Sequence, residues 1–322
     1  MIKKIFYFAV LIVSLSCKNE SRISETKLEG FVFGTTYHIT YVDKVDYQQS
    51  IDSLFTLVNK SLSTYMPTSD ISKINKGDST IVVDDMFIEV FSKAKRIYEE
   101  TDGYFDPTIG RLIDAYGFGS GKSKKELSKD EIDSLMKDVG FDKVRLEDRR
   151  VYRDNPNIEF NVNAFAKGYG VDVIGRFLES KNISNYLVEI GGEIRARGKK
   201  QGKLWKVAIE EPNTDGTRSV QKIIELDNQS MATSGNYRKY KVSDEGKKIV
   251  HTVNAKTGLA EESNLLSVSV KLKGDCADVD AYATAFLAMG LERTKEFLVT
   301  HPELKVVLLY NDKNNELMEF VN

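Results

Sequence analysis

An α+β fold in a single domain is what this sequence predicts, and three observations predict it. Strand-like and helix-like segments come in blocks rather than strict alternation, which favours antiparallel sheets with packed helices over a doubly wound parallel sheet. No internal repeat, heptad array or long Pro/Ser linker divides the chain. The 322 residues, 41% apolar and 29% charged, are enough for one large core. A net charge of −2 offers no broad basic field, which argues against nucleic acid as a partner.

The chain opens on "MIKKIFYFAVLIVSLSCKNE": Lys3 and Lys4, an apolar run from Ile5 to about Leu15, then small residues up to Cys17. That run is too short to span a bilayer comfortably and reads as an export signal. The cysteine after "SLS" resembles the lipobox of bacterial lipoproteins, in which it carries the lipid and becomes the mature N-terminus. Ser14 stands where leucine is usual, so a plain signal peptide is the competing reading. Cys276 is the only other cysteine, and two cysteines so placed make a poor disulfide framework. The expected organisation is a signal peptide over 1–17, a polar tether over 18–27 and one folded domain over 28–322. It describes an exported lipoprotein anchored to a membrane of the bacterial cell envelope and facing the periplasm.

Within the domain, Phe31 to Val42 is rich in β-branched and aromatic residues and reads as a strand or the start of a hairpin. Helices are expected over about Tyr47 to Leu62 and Asp84 to Glu100. In the second, Asp84 is a cap and Phe87, Val90, Phe91, Ala94 and Ile97 keep helical spacing. A loop-rich region follows from Thr101, then a polar helix near Lys129 to Val139 and short strands around Val144 to Phe160. "AFAKGYGVDVIGRFLES" reads as a helix, and from Tyr186 to Thr233 short strands alternate with glycine-containing turns. The end adds a strand over Leu266 to Leu272, the helix "CADVDAYATAFLAMG", a second helix to about Val299 and two strands.

That last apolar helix carries Asp278, Asp280 and Thr284 in its first turns. Two readings are open from the residues alone. Carboxylates near a helix N-terminus cap free N–H groups and meet the positive end of the dipole. Alternatively, Asp280 and Thr284, four residues apart on one face, set a charged and a neutral oxygen side by side, as hard cations prefer.

Six glycine-rich or polar stretches occur in order: "GYFDPTIG", "NVNAFAKGYGVD", "LVEIGGEIRARG", "ATSGNYRKY", "HTVNAKTG" and the Asp280 helix. Together they resemble the FAD:protein FMN transferases, the ApbE or flavin-trafficking lipoprotein family, from about Gly34 to the C-terminus. The resemblance implies an α+β fold related to the tunnelling fold, FAD as substrate and a magnesium ion beside its pyrophosphate. It implies transfer of FMN to a threonine or serine hydroxyl of a target protein, an electron-transfer or redox-pump subunit, with release of AMP. Two other outcomes share the site: a magnesium-dependent FAD pyrophosphatase giving FMN and AMP, and an FAD-binding lipoprotein without turnover.

Carried over by position, Asp280 and Thr284 match the family's side-chain magnesium ligands and Ala164 its carbonyl ligand, leaving Asp278 as a cap. Lys167 matches a lysine near FAD. Thr233, Ser234, Gly235 and Arg238 are candidate phosphate or ribose donors. His251 matches a histidine that positions the pyrophosphate or moves a proton from the incoming hydroxyl. Phe33, Tyr65, Tyr104, Phe105, Asp106 and Asn161 fall at FAD-contact positions, with core packing the competing reading for Phe105. Three departures stand out. Phe33 replaces a methionine, Asn161 replaces an aspartate, and "HTVNAKTG" stands for "HIIDPRTG", a change expected to loosen that turn.

Overall fold

The computed structural model describes residues 24–119, 126–213, 215, 217–237, 240–242, 246, 248–260 and 262–322. The export signal, Cys17 and Arg238 lie outside them. β1 (Thr26–Val32) and β2 (Thr35–Tyr41) make a hairpin, so regular structure begins inside the last residues assigned to the tether. Its two-residue turn, Phe33 and Gly34, has φ of 50° and 77°, the left-handed pair that matches strand twist. For phenylalanine that conformation costs about 1–2 kcal/mol. Its ring packs edge-on to Phe55, centroids 5.6 Å apart, which offsets the strain.

Five helices follow: α1 (Gln48–Leu62), α2 (Asp70–Asn75), α3 (Asp85–Glu100), α4 (Gly110–Ala115) and α5 (Lys129–Met136). Asp84 caps α3 by accepting the Phe87 N–H at 2.8 Å, and the five apolar residues at helical spacing are all buried. Each contributes up to about 1.5–3 kcal/mol of burial. The short helices α2 and α4 were not expected. Six residues each are too few to show a helical period, and α4 lies in the stretch that reads as loop. β3 (Val144–Glu147) and β4 (Arg150–Arg153) form a small hairpin before α6 (Ala166–Ser180).

The second half holds β5 (Tyr186–Ile190), β6 (Glu193–Arg197), β7 (Trp205–Glu210), β8 (Val220–Leu226), β9 (Gln229–Gly235), β10 (Tyr240–Val242), β11 (Lys248–Val250) and β12 (Leu265–Leu272). α7 (Cys276–Met289), α8 (Leu291–Thr300), β13 (Lys305–Asn311) and β14 (Leu317–Val321) complete it. Among the described residues, eight strands form one antiparallel sheet ordered β1-β2-β5-β6-β9-β12-β13-β14. This is the α+β arrangement expected of the sequence.

Alternation along the strands decides what each face covers. Val268, Val270 and Ala232 point to the helix-side core with α1, α3, α6 and α7, while Met231, Val307 and Leu309 point to the β7–β8 hairpin. α7 runs beside β9: the Ser230 hydroxyl reaches Gly274 near its start, and Ser234 faces Thr284 two turns on. α6 runs the opposite way across α7. A Cβ at Gly168 would lie 2.6 Å from the Cys276 carbonyl oxygen, so only glycine permits this crossing. Among the described residues no helix is long and apolar enough to cross a membrane.

Candidate active site

The first turn of α7 is capped, but by neither of its own candidate aspartates. Asp172 of α6 accepts the N–H groups of Cys276 and Ala277 at 2.8 and 2.9 Å. Asp278, expected as a cap, instead pairs with Lys93 at 3.1 Å and Arg96 at 2.9 Å, both on α3. Asp275 meets Lys93, Arg176 and Arg195 at 2.7–2.8 Å, and Arg195 also holds Asp172 at 2.7 Å. Burial pushes the Asp275 carboxyl up, but these cations outweigh it and hold it below the usual carboxylate range.

One turn further on, the charge balance reverses. Asp280 is 3% exposed and accepts the Gly168 N–H at 3.1 Å. Burial pushes its carboxyl up, and Lys167 offsets only part of that. The Lys167 ammonium lies 2.5 Å from Glu193 Oε1; burial would lower its pKa, but Glu193 and Asp280 raise it. Thr284 Oγ1, half-buried on the same face of α7 as Asp280, lies 3.4 Å from the Ala164 carbonyl oxygen and 3.3 Å from Ser234 Oγ. The seam between α6 and α7 therefore brings together Ala164, Lys167, Ser234, Asp280 and Thr284. Thr233, next along β9, points to the other face of the sheet, where its hydroxyl meets Ser269 at 2.7 Å.

The remaining candidates sit on loops tied to this seam. The Asn161 N–H donates to the Pro107 carbonyl at 2.7 Å, joining its loop to the Tyr104–Asp106 loop. Asn163 reaches the Thr64 hydroxyl at 2.9 Å and so fixes the segment bearing Tyr65, whose ring is 62% exposed. A polar cleft of about 190 Å³ opens here, lined in part by Thr64, Asp114, Glu159 and Asn161. Phe105 is 2% exposed and packs edge-on to Phe165, as the core reading has it. Tyr104 lies under the Arg293 guanidinium, 4.9 Å from the ring centroid. Asp106 closes its own turn, accepting the Thr108 N–H and hydroxyl at 2.7 and 2.6 Å. Burial pushes its carboxyl up to about 6. Asn161 closes another turn by accepting the Asn163 N–H.

His251 leaves β11 with its ring edge-on to Phe118, centroids 6.3 Å apart. Its loop does not loosen. Asn254 accepts the Lys256 N–H through its side chain at 2.9 Å and the Gly258 N–H through its carbonyl at 2.8 Å. Lys256 in turn donates to the Asp102 carbonyl, which ties this loop to the 102–106 segment.

A sequence model described as the ApbE family matches residues 33–308. The chain belongs to the ApbE family. It is 35% identical over 295 residues to an FAD:protein FMN transferase of Vibrio cholerae, covering 88% of this chain and 87% of that one. It is 32% identical over 312 residues to one of Haemophilus influenzae, covering 92% and 89%. The solved flavin transferase ApbE from Vibrio cholerae superposes with a TM-score of 0.83 at 31% identity over 93% of this chain and 97% of that one. The apo flavinyl transferase ApbE of Pseudomonas stutzeri gives 0.82 at 26%, over 93% and 95%.

Whether a hard cation suits this ApbE-family seam is decided by its donors. Ala164 carbonyl, Thr284 hydroxyl and Asp280 carboxylate are all oxygens, the set that magnesium accepts and zinc does not favour. Among the described residues no three His, Cys, Asp or Glu side chains converge as a metal cluster. The residues fit a cation that keeps water or substrate oxygens in its remaining positions. Glu193, a sixth group of the seam, escaped the sequence reading. Its signal was the alternation from Ile190 across the Gly191–Gly192 turn, which pairs the two residues on the helix-side face.

Proposed function

We propose that this ApbE-family chain transfers FMN from FAD to a threonine or serine hydroxyl of a target protein and releases AMP, with Mg²⁺ held by Asp280, Thr284 and the Ala164 carbonyl. The observation that carries the reading is the seam itself: the buried Asp280 carboxylate lies on one face of its helix with the Thr284 hydroxyl, which meets the Ala164 carbonyl, while the nearby Lys167 ammonium is paired with the buried Glu193. The names of the relatives supply the substrate class. When bound, the ion would neutralise charge on the pyrophosphate oxygens.

In the proposed reaction the acceptor hydroxyl oxygen bonds to the FMN-side phosphorus, the bond from that phosphorus to the bridging oxygen breaks, and AMP leaves with that oxygen. The hydroxyl proton needs an acceptor, and His251 is the family-matched residue for it. Lys167 and Ser234 offer donors on the phosphate side. The exposed Tyr65 offers aromatic surface beside the Asn163 loop, and the half-buried Phe33 offers it beside α6 at Gly170. The acceptor class, an electron-transfer or redox-pump subunit, rests on the family alone. Membrane anchoring through Cys17 rests on the N-terminal sequence alone.

Incubation with FAD and a candidate acceptor, with and without chelator, tests this directly. Covalent in-gel flavin fluorescence that disappears with chelator is expected. Free FMN and AMP without a labelled protein would favour the pyrophosphatase, and intact FAD the carrier. Recovery of the activity in the soluble rather than the membrane fraction would remove the lipid anchor.

A further inference from the structure

Among the described residues, three buried side-chain oxygens have no hydrogen-bond partner: Glu25 Oε1, Asn236 Oδ1 and Glu193 Oε2. Only Glu193 belongs to the cluster around Lys167 and Asp280. Its placement is built, not incidental. Gly191 and Gly192, with φ of 61° and 102°, close the β5–β6 hairpin in two residues and make Glu193 the first residue of β6. It pairs with Ile190, a member of the helix-side core, so its side chain enters the layer between sheet and helices. There it is 2% exposed and reaches Lys167 with Oε1.

An ion pair with Lys167 accounts for one of its oxygens. It does not account for the charge. Asp280 lies within electrostatic reach of the same ammonium without pairing with it, and among the described residues no other cation pairs with either carboxylate, so the pocket holds two carboxylates against one cation, and a buried excess of like charge is costly. Elsewhere on α7 the fold supplies cations freely, with two for Asp278 and three for Asp275. An orphaned oxygen and an uncompensated charge at the same point both call for a second positive group.

From this geometry we infer that Glu193 is an additional anionic partner of the cation site, holding Lys167 through Oε1 and presenting Oε2 to the hydration shell of the bound ion. It is a positioning residue, touching neither FAD nor the reacting phosphorus. The inference rests on the cation site proposed above and deepens it. Lys167 is held out of the ion's place by Glu193, and the ion gains a second negative neighbour beyond Asp280. Ligand charge count tunes the affinity of oxygen sites for hard cations.

Binding of Mn²⁺, followed by loss of the free-ion electron paramagnetic resonance signal in the presence of FAD, is the test. FAD affinity is measured separately in chelator by flavin fluorescence. Glu193→Gln keeps the shape and an acceptor for Lys167 but removes the charge. The expected result is a Mn²⁺ dissociation constant raised about tenfold or more, with FAD affinity in chelator changed by less than about threefold. A Mn²⁺ constant equal to that of the parent would overturn the inference, and a loss confined to FAD affinity would reduce Glu193 to a partner of Lys167. Should the glutamine variant fail to fold, Glu193→Asp keeps the charge but withdraws it by one methylene. A threefold or greater weakening of Mn²⁺ then supports the role and parent affinity refutes it. A parent chain that takes up no Mn²⁺ with FAD present is a separate failure, that of the cation site itself.

Discussion

Two groups of carboxylates around the first turns of α7 are treated in opposite ways. At the start of the helix, Asp275 and Asp278 are laced to Lys93, Arg96, Arg176 and Arg195, and Asp172 reaches in from α6 to satisfy two free N–H groups. Further along, Lys167 pairs with Glu193 and is the one cation whose charge reaches Asp280, and burial pushes both carboxyls up. The first group is a clasp in which every charge has its answer. The second is short of positive charge. Both contain buried acids, so burial alone does not set them apart; the shortage of positive charge does.

Substitutions on either side can break the contrast. The largest effect is expected for Asp280→Ala: FAD cleavage falls about a thousandfold or more, while stability to denaturant changes by only about 1 kcal/mol. Equal turnover, or a collapse of the fold, would put Asp280 in the clasp instead. Asp172→Ala should do the reverse, costing about 2–5 kcal/mol in chemical denaturation because two buried helix N–H groups lose their acceptor, while Arg195 keeps Asp275 and Glu179. Activity per folded molecule should stay within a few-fold of the parent.

The smallest effect is expected for Asp106→Asn, which sharpens the contrast, since among the described residues Asp106 is buried without an ion-pair partner and is held by hydrogen bonds from Thr108 and the Phe141 backbone. Its folded pKa, about 6, lies above the ordinary 3.8. The ionised form is therefore the one the fold disfavours, and stability from this group is lost as pH rises from about 4 through 6. The asparagine variant keeps the turn and should be as stable as the parent at pH 4. At pH 8 it should be more stable, by at most about 3 kcal/mol. A denaturation series across that range checks it.

Much of this was legible in the residues. Amphipathic spacing gave α1 and α3, the run after Asn163 read as α6, short strands broken by glycine turns gave the sheet, and the (i, i+4) pair Asp280/Thr284 does lie on one helix face. Three features were not. The capping role of Asp172 depends on α6 crossing α7, a contact between residues more than a hundred apart in the chain that local pattern does not carry. Glu193 reads as an ordinary strand glutamate beside a tight turn until the hairpin register shows which way it faces. Thr233 and Ser234 look equivalent in "ATSG", yet strand alternation sends them to opposite faces, and only Ser234 reaches Thr284.

The missing methyl group at position 168 also sets a tolerance. Backbone touches backbone where α6 crosses α7, so no flexible side chain is there to yield, and the gap between the Ala164 carbonyl and the Thr284 hydroxyl is fixed the way a jig fixes two drilled holes. For the cation proposed above, that rigidity would make diameter the first test, because an ion too large for the gap would have to pry two helices apart.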